Sequence, residues 1–246
     1  MTKPLANRIA LVTGASRGIG FATALALAEA GAHIVAVART VGGLEELDDA
    51  VRAAGSTATL VPLDLKDSPA IDRLAAAIQQ RYGRLDILVG NAGILGTLSP
   101  LDHVQPKDWE DVMAVNVTAN WRIIKAFADL LKASDGGRAV FVTAHVAQMA
   151  TAYWGPYAVA KSALDTLVRT FAAETVTTKV KVNLIAPGQV RTRLLTAAMP
   201  SLDMTDITRP DKVARAIVEL CLPGVTETGK IYDLTAQQLR TFQLPA

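Results

Sequence analysis

Tyr157 and Lys161 stand four residues apart in the run Tyr-Ala-Val-Ala-Lys. On a helix that spacing puts a phenol and an ammonium on one face, one turn apart. A positive charge beside a phenol favours the phenolate and burial opposes it, so the balance can make the pair a general acid/base near neutral pH. Any helix can carry Tyr-x-x-x-Lys by chance, with the lysine solvated and the tyrosine in a core, so the pair must be weighed with its surroundings. Near the N-terminus, Ile9-Ala10-Leu11-Val12 reads as a strand. It runs into Thr13-Gly14-Ala15-Ser16-Arg17-Gly18-Ile19-Gly20, where Gly14, Gly18 and Gly20 close a turn into a helix starting near Ile19. Glycines there let backbone N–H groups approach a pyrophosphate at the helix N-terminus, where the dipole favours an anion. The spacing is Gly-x-x-x-Gly-x-Gly, not the Gly-x-Gly-x-x-Gly of the common dinucleotide fingerprint. The plain alternative is a tight strand-to-helix connection.

These residues need a scaffold, and the apolar pattern describes one. Seven short β-rich runs, Ile9 to Val12, Ile34 to Ala38, Thr59 to Leu63, Ile87 to Val89, Val140 to Val142, Val182 to Ile185 and Ile231 to Leu234, alternate with segments of helical period. Those segments include Ile19 to Ala30, Leu44 to Ala54, Ala70 to Tyr82, Trp109 to Leu131, Tyr157 to Val176 and Asp211 to Leu222. Near-continuous apolar strands separated by helices predict a doubly wound α/β fold: a seven-stranded parallel sheet with helices on both faces. A chain of 246 residues suits one such domain over its whole length. Gln189 to Pro210 lacks a clear period and reads either as a lid over a site or as an ordinary long loop.

The end of the second strand bears on the choice of cofactor. A carboxylate there binds the ribose 2′-hydroxyl and repels a 2′-phosphate. Here His33-Ile34-Val35-Ala36-Val37 ends in Ala38-Arg39, and Arg17 lies inside the glycine turn. Two guanidiniums and no acid favour NADP(H) over NAD(H); solvated surface charges are the alternative. Asp64-Leu65, after the third strand, either borders the adenine or opens a helix as its N-cap.

Composition narrows the classes. Twenty-five Lys and Arg against 23 Asp and Glu, a formal net charge of +2, give no reason to invoke nucleic acid or a membrane surface as partner. The N-terminal segment lacks an apolar stretch long enough for a signal-peptide core, and no run approaches the ~18 apolar residues of a spanning helix. The single cysteine, Cys221, lies in an apolar pattern and reads as a buried structural thiol. A cytoplasmic protein is expected. Nothing has metal-ligand spacing.

With these residues in view, the chain resembles the short-chain dehydrogenase/reductase family over nearly its full length. Thr13 to Gly20 looks like the family's cofactor turn, with Ser16 and Ile19 among its residues. Gly90-Asn91-Ala92-Gly93 looks like its Asn-Asn-Ala-Gly motif, with Gly in place of the first Asn. Asn116 matches the helix asparagine that supports the proton relay through a water, Pro187-Gly188 the turn beside the nicotinamide, and Tyr157 with Lys161 the catalytic pair. The resemblance implies that Tyr157 exchanges a proton with a carbonyl or alcohol oxygen. Lys161 would lower the tyrosine pKa and bind the nicotinamide ribose, and Thr192, after Val190-Arg191, would meet the carboxamide.

One expected group is missing. The family's catalytic serine belongs thirteen residues before the tyrosine, where this chain has Ala144. Losing one such donor to the reacting oxygen typically costs ~10²–10³ in rate. Thr143 and His145 are the neighbouring candidates to replace it, His145 the better placed because it follows the strand end. Two readings follow: an oxidoreductase acting on a small carbonyl or alcohol substrate with an altered donor, and a catalytically impaired NADP(H)-binding sensor or scaffold. The resemblance also implies a homodimer or homotetramer through the helices of Asn116 and Tyr157, where Trp121, Phe127 and Phe171 would line an interface or a core. Leu95, Met149, Tyr153 and Trp154 with the 189–210 segment would form an apolar pocket wall.

Overall fold

The apolar runs form β1 (Ile9–Thr13), β2 (His33–Ala38), β3 (Ala58–Pro62), β4 (Ile87–Gly90), β5 (Arg138–Val142), β6 (Lys181–Ala186) and β7 (Ile231–Asp233). The computed structural model describes residues 3–242, so the outermost residues of the expected 1–246 domain lie outside the described residues. The strands pair in parallel in the order β3-β2-β1-β4-β5-β6-β7. An eighth, β8 (Gln238–Arg240), pairs antiparallel with β7 and corrects the expected count of seven. Its three residues are all exposed and hold no apolar run. Backbone pairing at a sheet edge makes this strand, and hydrophobic pattern carries no trace of it.

Between the strands come α1 (Gly18–Glu29), α2 (Val41–Ala53), α3 (Ser68–Tyr82), α4 (Pro106–Met113), α5 (Ala119–Ala133), α6 (Gly155–Glu174), α7 (Arg193–Ala198) and α8 (Pro210–Cys221). Strand side chains alternate between two cores. Val12, Ala36, Val89 and Val142 pack against Leu27 of α1, Leu47 of α2 and Ile217 of α8. Leu11, Val37, Leu88 and Phe141 pack against Ile78 of α3, Phe127 of α5 and Leu164 of α6. The sheet is thus a Rossmann-like doubly wound one, and its order reverses between β1 and β4, which opens a crevice at the carboxyl ends of the strands.

Three local details bear on the crevice. The Trp109 to Leu131 segment is not one α-helix: α4 and α5 are joined by a π-helical turn, Ala114–Thr118, that contains Asn116. The N-cap of α3 is Asp67, whose Oδ1 accepts from Ala70 N at 3.0 Å, so Asp64 is not the cap. Its Oδ1 accepts from Lys66 N at 3.0 Å instead. The 189–210 segment is tied down: Val190 bridges to Thr208, and Arg191 Nη2 donates to Met204 O at 2.6 Å and Thr205 O at 2.9 Å. Phe127 and Phe171 are buried, which makes them core, while Trp121 is 43 % exposed. Among the described residues no helix is long and apolar enough to cross a membrane.

Candidate active site

β1 delivers Thr13 to the crevice floor, where its hydroxyl is a hub. Thr13 Oγ1 donates to Val89 O at 3.3 Å and accepts from Asn91 N at 3.0 Å and Ala92 N at 3.1 Å. Asn91 Nδ2 returns to Thr13 O at 2.8 Å. The loop after β4 is thereby fastened to the glycine turn. Gly20 is there of necessity: a Cβ on it would stand 2.2 Å from Gly14 O and 2.5 Å from Asn91 Nδ2. Gly14 and Gly18 take φ of +66° and +57°, which side chains other than glycine's rarely accept. The N-cap of α1, Arg17, makes no side-chain cap and the first turn holds no acid, which leaves a helix N-terminus fit for a phosphate. Gly43, in the first turn of α2, lets that helix reach Ser16, since a Cβ there would lie 2.6 Å from Ser16 O. Sequence reasoning passed over Gly43, although the pair Gly42-Gly43 in a helix start was a visible signal.

The cleft that continues from this turn has a volume of about 1180 Å³. It is bordered by Gly14, Ser16, Arg17, Gly18 and Ile19, and by Arg39, Asp64 and Leu65 at the ends of β2 and β3. Its far half meets Asn91, Ala92, Gly93, Tyr157, Lys161, Pro187, Gly188, Val190 and Thr192. Arg17 and Arg39 are both exposed at this border. A dinucleotide fits this donor set: a glycine cradle for the pyrophosphate, guanidiniums beside the position of the adenosine ribose, and an ammonium at the other end. Thr192 spends its hydroxyl on local structure, donating to Val190 O at 3.1 Å and capping α7 by accepting from Leu195 N at 3.3 Å.

Tyr157 and Lys161 lie in the first half of α6, both buried at this cleft. Lys161 Nζ donates to Val142 O at 2.7 Å and stands 5.7 Å from the centre of the Tyr157 ring. Burial governs both groups. It pushes the Tyr157 phenol up to about 12 and brings the Lys161 ammonium down to about 8. For the phenol, desolvation is the cause. Trp154, at the start of α6, stacks at a tilt on Tyr157 with ring centres 6.1 Å apart.

Asn116 is fully buried, and both ends of its amide are used. Oδ1 accepts from Ile94 N and Nδ2 donates to Ile94 O, each at 2.9 Å. The side chain therefore clamps the loop after β4, with one amide N–H and one oxygen lone pair committed to Ile94; its backbone carbonyl accepts from Asn120 Nδ2 at 2.8 Å. Gly93 lies against this clamp, since a Cβ on it would come within 3.2 Å of Asn116 Oδ1 and 3.6 Å of Lys161 Nζ.

Ala144 borders the cleft at the end of β5 with no polar atom in its side chain. Thr143 and His145, its neighbours, border the same cleft. Thr143 is buried, and its hydroxyl lies toward Asp165 of α6. His145 Nε2 is 3.4 Å from Asp233 Oδ1 at the end of β7, without closing a hydrogen bond of good geometry. The alternation of strand side chains explains Thr143, which follows Ala139 and Phe141 on the α6 side of the sheet. Leu95, Met149 and Trp154 border the cleft as expected, whereas Tyr153 is 61 % exposed and is not among the residues bordering it. The described residues hold no cluster of His, Cys, Asp or Glu fit for a metal.

Comparison with known proteins agrees with this geometry. A family model for the short chain dehydrogenases matches residues 8–202. The chain is 35 % identical over 209 residues to the uncharacterized oxidoreductase YciK of Escherichia coli K12, covering 84 % of this chain and 82 % of that one. It is 31 % identical over 227 residues to the 3-oxoacyl-[acyl-carrier-protein] reductase FabG of Vibrio cholerae, covering 89 % and 91 %. A chain from Escherichia coli CFT073, classed as a short chain dehydrogenase and complexed with NADPH, superposes with a TM-score of 0.91 at 33 % identity, covering 95 % of this chain and 99 % of that one.

Proposed function

This chain belongs to the short-chain dehydrogenase/reductase family of oxidoreductases, and from that premise we propose that it reduces a carbonyl compound with NADPH, the same groups serving the reverse oxidation of an alcohol. The observation that carries this reading is the Tyr157 phenol, buried at the cleft one helical turn from Lys161, whose ammonium stands 5.7 Å from the ring centre. A phenol that keeps its proton at neutral pH is equipped to donate it to a carbonyl oxygen. Bound NADPH supplies the hydride. Tyr157 gives its proton to the substrate oxygen as that oxygen gains charge, and Lys161, cationic at neutral pH below its midpoint of about 8, offsets the phenolate left behind. Asn116 holds the loop of Asn91 to Gly93 against the nicotinamide side of the cleft, and Pro187, Gly188, Val190 and Thr192 complete that wall.

Arg17 and Arg39, with no acid at the end of β2, support NADP(H) over NAD(H); the NADPH complex of a relative points the same way. Asp64 and Leu65 would border the adenine. The chain would act as one domain with 189–210 as its lid, in the cytoplasm, on a small molecule and without nucleic-acid or membrane partners. Assembly as a homodimer or homotetramer through α5 and α6 is supported by the exposed Trp121 and Val159 on those helices. A molar mass from light scattering equal to one chain would refute that assembly.

A second reading has its own observation. With Ala144 at the serine position, the fold would retain NADP(H) as a sensor or scaffold with little turnover. The deciding experiment is NADPH oxidation by the wild type and Ala144→Ser over ketones, aldehydes and quinones, with Tyr157→Phe as control. Turnover that Tyr157→Phe abolishes establishes the reductase; NADPH binding without turnover in the wild type, restored by the serine, establishes the second reading.

A further inference from the structure

α6 carries a third ionisable side chain into the core, one turn beyond Lys161. Asp165 is 4 % exposed and lies in the buried stripe of Tyr157, Lys161, Leu164 and Val168. A carboxylate there is costly unless something favours its charge. Thr143, at the end of β5, and Gln148, in the turn that follows, reach toward it and favour the ionised form, although Thr143 Oγ1 and Asp165 Oδ1 are each left without a hydrogen bond of good geometry. Lys161 lies one turn earlier in the same buried stripe, beyond direct ion-pair distance, and its hydrogen bond to Val142 O supplies no negative charge. We propose that Asp165 is a positioning residue for the proton relay, the buried counter-charge that keeps the Lys161 ammonium protonated inside the protein. The inference rests on Lys161 acting in that relay as a cation.

The charges around the pair are few. Lys161 and Arg169 act on Asp165 from its own helix, while the neighbouring side chains from β5 and the turn after it, Thr143 and Gln148, carry none. His145 of that turn lies 3.4 Å from Asp233 Oδ1, and Tyr157 keeps its proton. Asp165 is the group that raises Lys161 against the desolvation that lowers it. Without it, burial acts on the ammonium unopposed, and the amine is deprotonated at a lower pH. Asp165 itself is pushed up to about 6 by burial, so it is ionised over the range in which Lys161 titrates. The arrangement also accounts for the orientation of Thr143 toward Asp165: its hydroxyl serves the carboxylate under the relay.

The test is a pH titration of Lys161 in the full-length protein by ¹³C NMR of labelled lysine side chains, its signal identified by loss in Lys161→Met. In Asp165→Asn the midpoint is expected to fall by about one pH unit or more. In Asp165→Glu, which restores the charge, it stays near the wild-type value. The alkaline limb of kcat/KM for NADPH-dependent reduction moves with it. A midpoint that Asn leaves in place, or that Glu displaces as far as Asn does, overturns the proposal. If Asp165→Asn does not fold, the wild type decides alone: the Lys161 signal carries a second inflection as Asp165 ionises, and a single smooth titration refutes the coupling. The NMR midpoint needs no substrate, so a wild type that reduces nothing would sink the proposed function while leaving this charge coupling decided on its own terms.

Discussion

At the scale of single residues, the proposed function turns on Ala144, which borders the cleft with a methyl group where the resemblance to the family expects a donor hydroxyl, between Thr143, which faces Asp165, and His145, 3.4 Å from Asp233. Ala144→Ser is therefore expected to raise kcat, by up to the ~10²–10³ that one such donor contributes. An unchanged or lower kcat in the serine variant would mean that another donor already serves the oxygen. Arg39 carries the second prediction. Its exposed guanidinium borders the cleft beside Ala38, so Arg39→Glu should weaken NADPH binding about tenfold or more and leave NADH binding unchanged or improved, as read from fluorescence titration with each cofactor. Equal losses for both cofactors would refute a 2′-phosphate contact. The chemistry-bearing residues were legible in the sequence because their meaning lies in local spacing: Tyr157 to Lys161 is one helical turn, and Gly14 to Gly20 is one strand-to-helix turn. The direction of the His145 side chain was not legible, because it depends on Asp233, 88 positions further along the chain and brought near through the pairing of β6 with β7.

At the scale of elements, the site is a set of strand ends held in register by a few backbone contacts. The β1–α1 turn and the loop after β4 share Thr13 and Asn91, so neither is built independently. Gly20→Ala tests this: its Cβ would meet Gly14 O at 2.2 Å, which only a backbone shift can relieve. Affinity for NADPH should drop by ~10-fold or more, with a fall in stability of about 1–3 kcal/mol in a denaturant titration; wild-type affinity would show that the turn gives way freely. Helices and central strands followed from apolar period, since burial is what those patterns record. The π-turn at Ala114–Thr118 and β8 did not. The first holds Asn116, which bonds to both backbone groups of Ile94, 22 residues away, and the second is a three-residue exposed strand paired on the edge of β7. Neither leaves a periodic trace.

At the scale of the whole molecule, the cleft lies where the two packed layers on either side of the sheet part, at the reversal of strand order, and the protein places costly groups there. Burial holds Lys161 down to about 8, below its ordinary 10.5, so the folded state releases this proton before the unfolded chain does. Below pH 8 the lysine is charged in both states and the folded state bears the full cost of burying it. As pH rises from 8 to 10.5 the folded state is already neutral while the unfolded state still binds the proton, and stability from this group rises. A shift of this size corresponds to roughly 3 kcal/mol. Tyr157, pushed up to about 12, has the opposite slope, and only above pH 10, where the unfolded phenol ionises first. The difference in unfolding free energy between the wild type and Lys161→Met isolates the lysine. The wild type should gain on the variant between pH 8 and 10.5, by an amount on the order of 3 kcal/mol, and the difference should be flat below pH 8 once the titration of Asp165 near 6 is passed. A difference that stays flat through pH 10.5 would mean that Lys161 titrates in the fold as it does in water, and that the interior of this cleft is far wetter than its packing implies.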